Sequence, residues 1–541
     1  MDWDDESTHP LGDGPPNNCV VLAIAFFPRI LKAHYMIARC LRMVFALLLT
    51  ISAGASAAVA GELADIFADN MVLQQQMPIR VWGTGTPGAA VTVTFGLESQ
   101  SSVVEDQGKW SLNLPAMLAS GEPRSLRVVI GTEHVSVENV LVGEVWHASG
   151  QSNMAWSLAA SAKKLPGLSR ILMEADYPAI RYRAIKRREQ RVEQWRIGDG
   201  ADWVECTPKT AGAFSAVALL FARQLHLELG VPIGIIETAW GGHPIEPFIP
   251  VAAFTEHPVL EQERRLGELK DLEGLKAMVG GVWARNESWL PGAIYNARIA
   301  PIAGYSMRGA LWYQAESNCG TGEDPRYYSE KMKALVRGWR AAWAQSDMPV
   351  YFVQLPQYPS PGWRLMRDEQ RRALSEPNTG MAVTIDLELD GIHPANKLEV
   401  AERLALWALG RDYGRTIPVS GPLFRSASFE GDQARIAFDH VGEGLVTGSK
   451  RDLQAVEILE GKSVNGFELA GVDGVWMSAS AVIEGRGVRC KSDQVPEPIA
   501  VRYAYASTMP EDRPWNLYNR AGLPASPFVS EGLRYSLENR D

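Results

Sequence analysis

The residues of this sequence best suited to chemistry are Ser152, Asp390 and His393: one hydroxyl, one carboxylate and one imidazole. A serine hydroxyl is a poor nucleophile until a base takes its proton, and imidazole is the usual base because it titrates near neutrality. In "DGIHP" Asp390 stands three residues before His393, close enough for a carboxylate on the same loop to orient the ring and stabilise it once protonated. Such a set performs acyl transfer through an acyl-serine. The negative charge that develops on the carbonyl oxygen then needs fixed donors. The candidates are the backbone N–H groups of Ser152 and of Gly241 or Gly242, where no side chain blocks approach, and the side-chain amide of Gln314.

These residues must be carried to one place by the elements around them. In "NVLVGEVWHASGQSNMAW" the β-branched and aromatic run reads as a strand and "SGQSN" as the turn that stops it, so Ser152 belongs at a strand's carboxyl end. "VPIGIIETAW" leads into Gly241 and Gly242, "GALWY" into Gln314, Glu316 and Asn318, and "MAVTIDLEL" into Asp390 and His393. Four strand ends at one rim are where a parallel sheet builds its site. The stretches "FSAVALLFARQLHLELG", "YYSEKMKALVRGWRAAWAQ" and "NKLEVAERLALWALG" read as helices between the strands. That alternation predicts an α/β domain over 141–412 with a parallel sheet wrapped by helices. Short alternating strands over 61–140 predict an amino-terminal β-sandwich. Residues 413–541 are again β-rich, with "TIPVSGPLFRS" as the candidate boundary. Gly83-Thr84-Gly85-Thr86-Pro87-Gly88 matches a dinucleotide fingerprint, yet a strand-like "AAVTVTF" follows it instead of a helix, so it reads as a hairpin loop.

With 541 residues the chain exceeds one ordinary core. A hydrophobic content of 46% with 21% charged residues is that of a globular protein. The net charge of -10 argues against a nucleic-acid partner, and the nearest basic cluster, "RYRAIKRREQRVEQWR", mixes signs as a solvated face does. Residues 36–60 read as a secretory signal: two arginines, an apolar core from Met43 to Ile51, and small residues ending in Ala58-Val59-Ala60. That core is shorter than the roughly 20 residues a membrane-spanning helix needs, so no stable membrane insertion is expected. Residues 1–35 make no sense upstream of a signal and read as an extension from a mis-assigned start. The mature chain is thus expected in the periplasm or outside the cell. Cys19 and Cys40 fall in this leader, which leaves Cys206, Cys319 and Cys490, and any disulfide among them is open. No H-E-x-x-H or C-x-x-C motif is present, and neither metal nor cofactor is called for.

The blocks "GEVWHASGQSNM", "IIETAWGGHPIEPFIP", "GALWYQAESN" and "DGIHPANKLEVAERLA" resemble those of the SGNH-type carbohydrate esterases, in particular the sialate O-acetylesterase family and its acetylxylan-esterase relatives. "FADNMVLQQQMPIRVWG" and "LYNRAGLPASPF" resemble that family's opening and closing segments, so the likeness covers nearly the whole mature chain. It implies an SGNH-hydrolase, flavodoxin-like core of three layers flanked by β-sandwich domains. It also implies Ser152 as nucleophile, His393 as base and Asp390 as its partner, with the Gly241-Gly242 pair and Gln314 as oxyanion donors beside Ser152 itself. Two positions depart from the pattern: Ala315 stands where "WYQGES" has glycine, and His243 where "WGGTPIE" has threonine. Asn153, Trp156, His243 and Glu316 are the candidates to touch the sugar.

The expectation is an exported serine esterase that needs no cofactor and removes O-acetyl groups from an acetylated oligo- or polysaccharide, either sialic acid or a plant cell-wall glycan such as xylan or xyloglucan. Two alternatives stand beside it: a non-catalytic carbohydrate-binding protein on a degenerate hydrolase scaffold, and an esterase for another acyl group. Oligomeric state is not legible in the sequence.

Overall fold

A computed structural model describes residues 61–530 apart from 199, 269–286, 320–323, 460 and 462. The expected leader, with Cys19 and Cys40, lies outside the described residues. Seven strands position the residues singled out above: β1 (Glu133–Gly150), β2 (Tyr177–Ala184), β3 (Val204–Cys206), β4 (Ile233–Glu237), β5 (Gly309–Tyr313), β6 (Val350–Val353) and β7 (Thr379–Ala382). They lie in the order β3-β2-β4-β1-β5-β6-β7. All pair in parallel except β3, which runs antiparallel to β2. From β1 the chain first builds outward to one side and then, after β4, crosses to the other. The crevice of such a sheet opens where β4, β1 and β5 end.

The apolar runs form strands because both faces are covered. Successive residues divide between two hydrophobic clusters: Ile235, Leu311, Tyr351 and Ala382 fall in one, Ile236, Trp312, Phe352 and Met381 in the other. The first contains residues of the helices Ala216–Leu229 and Lys397–Arg411, the second residues of Tyr328–Trp343 and Trp363–Ala373. The second also runs through the amino-terminal strands at Val81 and Val93 and the carboxyl-terminal strands at Phe467 and Tyr503.

The boundary expected near residue 140 falls inside β1. Its first half pairs antiparallel with Ser120–Ile130, and its second half lies between β4 and β5. Ala90–Phe95 and Glu98–Val103 extend the same sheet, while Ile79–Thr84 pairs with Glu62–Leu63 and Lys109–Leu114 in a separate antiparallel one. The Gly-rich stretch after Thr84 therefore links strands of two different sheets and is not a hairpin. Cys206, Cys319 and Cys490 are buried free thiols.

One buried group ties these regions together. Glu144 in β1 accepts from Gln74 Nε2 at 3.0 Å, Gln75 Nε2 at 2.7 Å, Arg308 Nε and Nη2 at 2.8 and 3.0 Å, and the Tyr413 hydroxyl at 3.0 Å. Arg308→Met should leave this carboxylate buried without its cation and lower stability by about 3–5 kcal/mol, read as an earlier urea midpoint; an unchanged midpoint would contradict it.

Candidate active site

Ser152 opens a single helical turn, Ser152–Ala155, directly after β1. The junction demands glycine at 150: its φ is +131°, and a Cβ there would lie 2.1 Å from the Tyr313 carbonyl oxygen. The Gln151 N–H donates to that same carbonyl at 2.9 Å, which fixes the turn against the end of β5.

Past the end of β4 the pairing with β1 continues through Thr238 N–H to Ala148 O at 3.0 Å and Trp240 N–H to Gly150 O at 2.9 Å. Gly241 is thereby set beside the serine, so close that a Cβ on it would stand 3.3 Å from Ser152 Cβ. Gly242 has φ +76°, which a side chain would strain. Buried His243 bonds through Nδ1 to the Gly241 carbonyl at 3.0 Å and through Nε2 to Ser288 Oγ at 2.7 Å. A carbonyl only accepts, so Nδ1 carries the proton and Nε2 accepts from the serine hydroxyl. Burial lowers the pKa of His243, which favours this neutral form. In a trans peptide the N–H points away from the C=O, so the imidazole leaves Gly242 N–H on the opposite side. The N–H groups of Ser152, Gly241 and Gly242 meet no acceptor among the described residues.

Gln314 is not free to join them. Its amide is fully buried and donates to Gln151 Oε1 at 3.0 Å, Asn318 Oδ1 at 2.8 Å and the His243 carbonyl at 3.3 Å. The Tyr328 hydroxyl in turn donates to its Oε1 at 2.7 Å. In this structure the amide braces the rim. Asn153, His243 and Glu316 are buried with protein partners, so only Trp156, which is partly exposed, remains at the surface of the site.

Asp390 and His393 sit well beyond β7, because the apolar run continues past the strand as a buried loop over Val383–Leu387. His393 stacks on Trp156, with centroids 4.5 Å apart and planes at 18°. Its Nε2 is buried and makes no hydrogen bond among the described residues. Burial, and then the charges of Lys397 and Lys164, hold its pKa below the usual histidine value, so the ring is a free base at neutrality. Asp390 does not bond the ring. Its carboxylate accepts from Lys164 Nζ at 3.3 and 3.4 Å and from Ala395 N–H at 3.3 Å. The structure thus brings Ser152 and the glycine N–H groups together and ties in the His393 loop through Asn153 Nδ2, which donates to Ile392 O at 2.9 Å, but leaves serine, histidine and aspartate without mutual hydrogen bonds.

A family model for carbohydrate esterases, the sialic acid-specific acetylesterases, matches residues 142–406. The solved structure of a carbohydrate acetylesterase from Xanthomonas citri is similar with a TM-score of 0.74 at 33% identity, over 87% of this chain and 100% of that one. The chain belongs to the sialic acid-specific acetylesterase family of carbohydrate esterases. The sialate O-acetylesterase of Homo sapiens is 28% identical over 540 residues, 92% of this chain and 97% of the relative. That of Rattus norvegicus is 29% identical over 416 residues, 66% of this chain and 75% of the relative.

Against this family, the two departures acquire physical meaning. Ala315 has φ +155° and ψ -16°, a backbone that glycine adopts freely and alanine does not. His243 supplies the ring that grips the Gly241 carbonyl. The residues that single positions did not reveal are Lys164 and Lys397. Nothing in the linear pattern sets Lys397 apart except its place at the head of an apolar helical face with Val400, Ala401, Leu404 and Ala408.

Ala315→Gly should stabilise this family member by about 1 kcal/mol, from about 1–3 kcal/mol of relieved backbone strain less about 0.5–1 kcal/mol for a looser unfolded chain. Denaturant titration of the two proteins checks it, and a destabilised variant would mean the alanine carries no strain.

Proposed function

We propose that the chain is an exported carbohydrate O-acetylesterase that works through an acetyl-serine intermediate. The observation that carries this reading is the convergence on Ser152 of unengaged backbone N–H groups from two strand ends, with Gly241 so near that a Cβ on it would crowd Ser152 Cβ at 3.3 Å. The carbohydrate acetylesterase from Xanthomonas citri and the mammalian sialate O-acetylesterases support the same chemistry.

In this reading His393, uncharged at neutral pH, takes the proton of Ser152 as the hydroxyl attacks the acetyl carbon. The oxyanion receives N–H donors from Ser152 and the Gly241-Gly242 segment. Collapse expels the sugar oxygen, which His393 protonates. Water then enters, gives a proton to the same ring as its oxygen bonds the acetyl carbon, and the C–Oγ bond breaks to release acetate while the imidazolium returns that proton to Ser152 Oγ. The cycle requires His393 Nε2, which makes no hydrogen bond among the described residues, to meet the Ser152 hydroxyl, and Asp390 to exchange Lys164 for the ring as charge develops there. Hydrogen bonds of a catalytic set commonly tighten only when substrate is bound. Trp156, already a platform for the imidazole, is placed to meet the sugar that carries the acetyl group.

Acetate release tests the reading, with O-acetylated sialic acid, acetylated xylan and acetylated xyloglucan assayed in parallel. Ser152→Ala and His393→Ala, which remove the nucleophile and the base, should each lose about a thousandfold or more in kcat, and Asp390→Asn less, because nucleophile, base and oxyanion donors all remain. Release from one glycan class alone fixes the substrate. Unimpaired turnover by folded Ser152→Ala would overturn the mechanism, and glycan binding without any hydrolysis would favour the binding protein.

A further inference from the structure

Lys397 is the first residue of the helix Lys397–Arg411. Asn396 caps that helix, its side chain accepting the Glu399 N–H at 3.2 Å and donating to the Glu399 carboxylate at 3.2 Å. The lysine is wholly buried, with Nζ 5.1 Å from the centroid of the Tyr313 ring. Its ammonium donates to Asn153 Oδ1. The other end of that amide, Nδ2, donates to Glu316 Oε1 at 2.5 Å and to the Ile392 carbonyl at 2.9 Å. Glu316 accepts in addition the Ala315 N–H at 3.0 Å.

The amide dipole is therefore matched at both ends, oxygen toward a cation and NH₂ toward a carboxylate. Flipping it would set NH₂ against the ammonium and oxygen against the carboxylate, so the two buried charges hold it in one orientation. Asn153 follows Ser152, and Ile392 precedes His393. A single side chain thus joins the segment of the nucleophile to the loop of the base.

Resting on the esterase reading above, we infer that Lys397 is a positioning residue: through Asn153 it holds the Ser152 segment and the His393 loop in register for proton transfer. Neither charge is comfortable in this interior without the other. Burial pulls Lys397 down to about 7 while Glu316 pushes it up, and burial raises Glu316 while the Asn153 hydrogen bond and the lysine lower it. The other charged groups that bear on Lys397 are Asp390, which favours its cation, and Lys164, which opposes it. His393 feels both lysines, and each disfavours the imidazolium.

The experiment measures kcat, KM and the pH profile of acetate release from an acetylated glycan that the wild-type chain hydrolyses, for Lys397→Met, Asn153→Ala and Ser152→Ala, with folding checked by circular dichroism. Lys397→Met should lower kcat about 100-fold through misplacement of the reacting groups, with KM little changed. Its acid limb should move to higher pH, because the imidazolium loses a repelling cation and the histidine pKa rises. Asn153→Ala, which keeps both charges, should show the loss in kcat without the shifted limb, and it carries the test if Lys397→Met does not fold. Wild-type kcat and an unmoved acid limb in folded Lys397→Met, or wild-type kcat in Asn153→Ala, would overturn the inference while an inactive Ser152→Ala leaves the esterase reading standing. Full activity in Ser152→Ala would overturn the esterase reading itself.

Discussion

Beneath the strand ends that carry Ser152 the protein buries two carboxylates, Glu246 and Glu316, and a buried charge must be met by partners or it destabilises the fold. Glu246 is met by Lys331 Nζ at 2.5 Å and by Asn318 Nδ2 at 3.1 and 3.0 Å. Asn318 then has its oxygen free for Gln314 Nε2 at 2.8 Å and Ile245 N–H at 2.9 Å. Glu316 is met by Asn153 on the other side. The rim is rigid because each polar group in these chains has its donors and acceptors assigned, and loosening one member exposes the next. The same demand engages the Gln314 amide in the network.

Above that floor the geometry is set by backbone. Gly150 admits the Tyr313 carbonyl and Gly241 admits Ser152, each at a distance a methyl group would fill. Arg298, itself buried, donates to Thr238 O at 2.5 Å and Ala239 O at 3.3 Å, so the carbonyls at the end of β4 are already satisfied. His243 fixes the following peptide from the other side. Donors held this way need no reorganisation when charge appears on the substrate, the condition under which oxyanion stabilisation contributes most.

Much of the frame is legible in the sequence because it rests on local pattern. The strand into Ser152, the glycine pair after β4 and the helices Ala216–Leu229, Tyr328–Trp343 and Lys397–Arg411 follow from periodicity and turn residues. What escapes local pattern is settled by distant partners. The run "MAVTIDLEL" reads as one strand, yet β7 ends at Ala382 and the rest is buried loop, since apolarity records burial and not hydrogen bonding. The side chains of Asn153, Gln314 and Glu316 look available for substrate until the lysine and asparagine that claim them are brought in from residues 318 and 397. Asp390 is drawn to Lys164, a residue more than two hundred positions earlier that no motif marks.

The central claim is that Ser152 is the nucleophile. Stoichiometric labelling with an organophosphorus serine probe, followed by peptide mass spectrometry and residual esterase assay, tests it most directly. The account predicts one label per chain, on Ser152, with activity lost in proportion to labelling. Activity that survives full labelling of Ser152, or that is lost while the label sits on another residue, would contradict it.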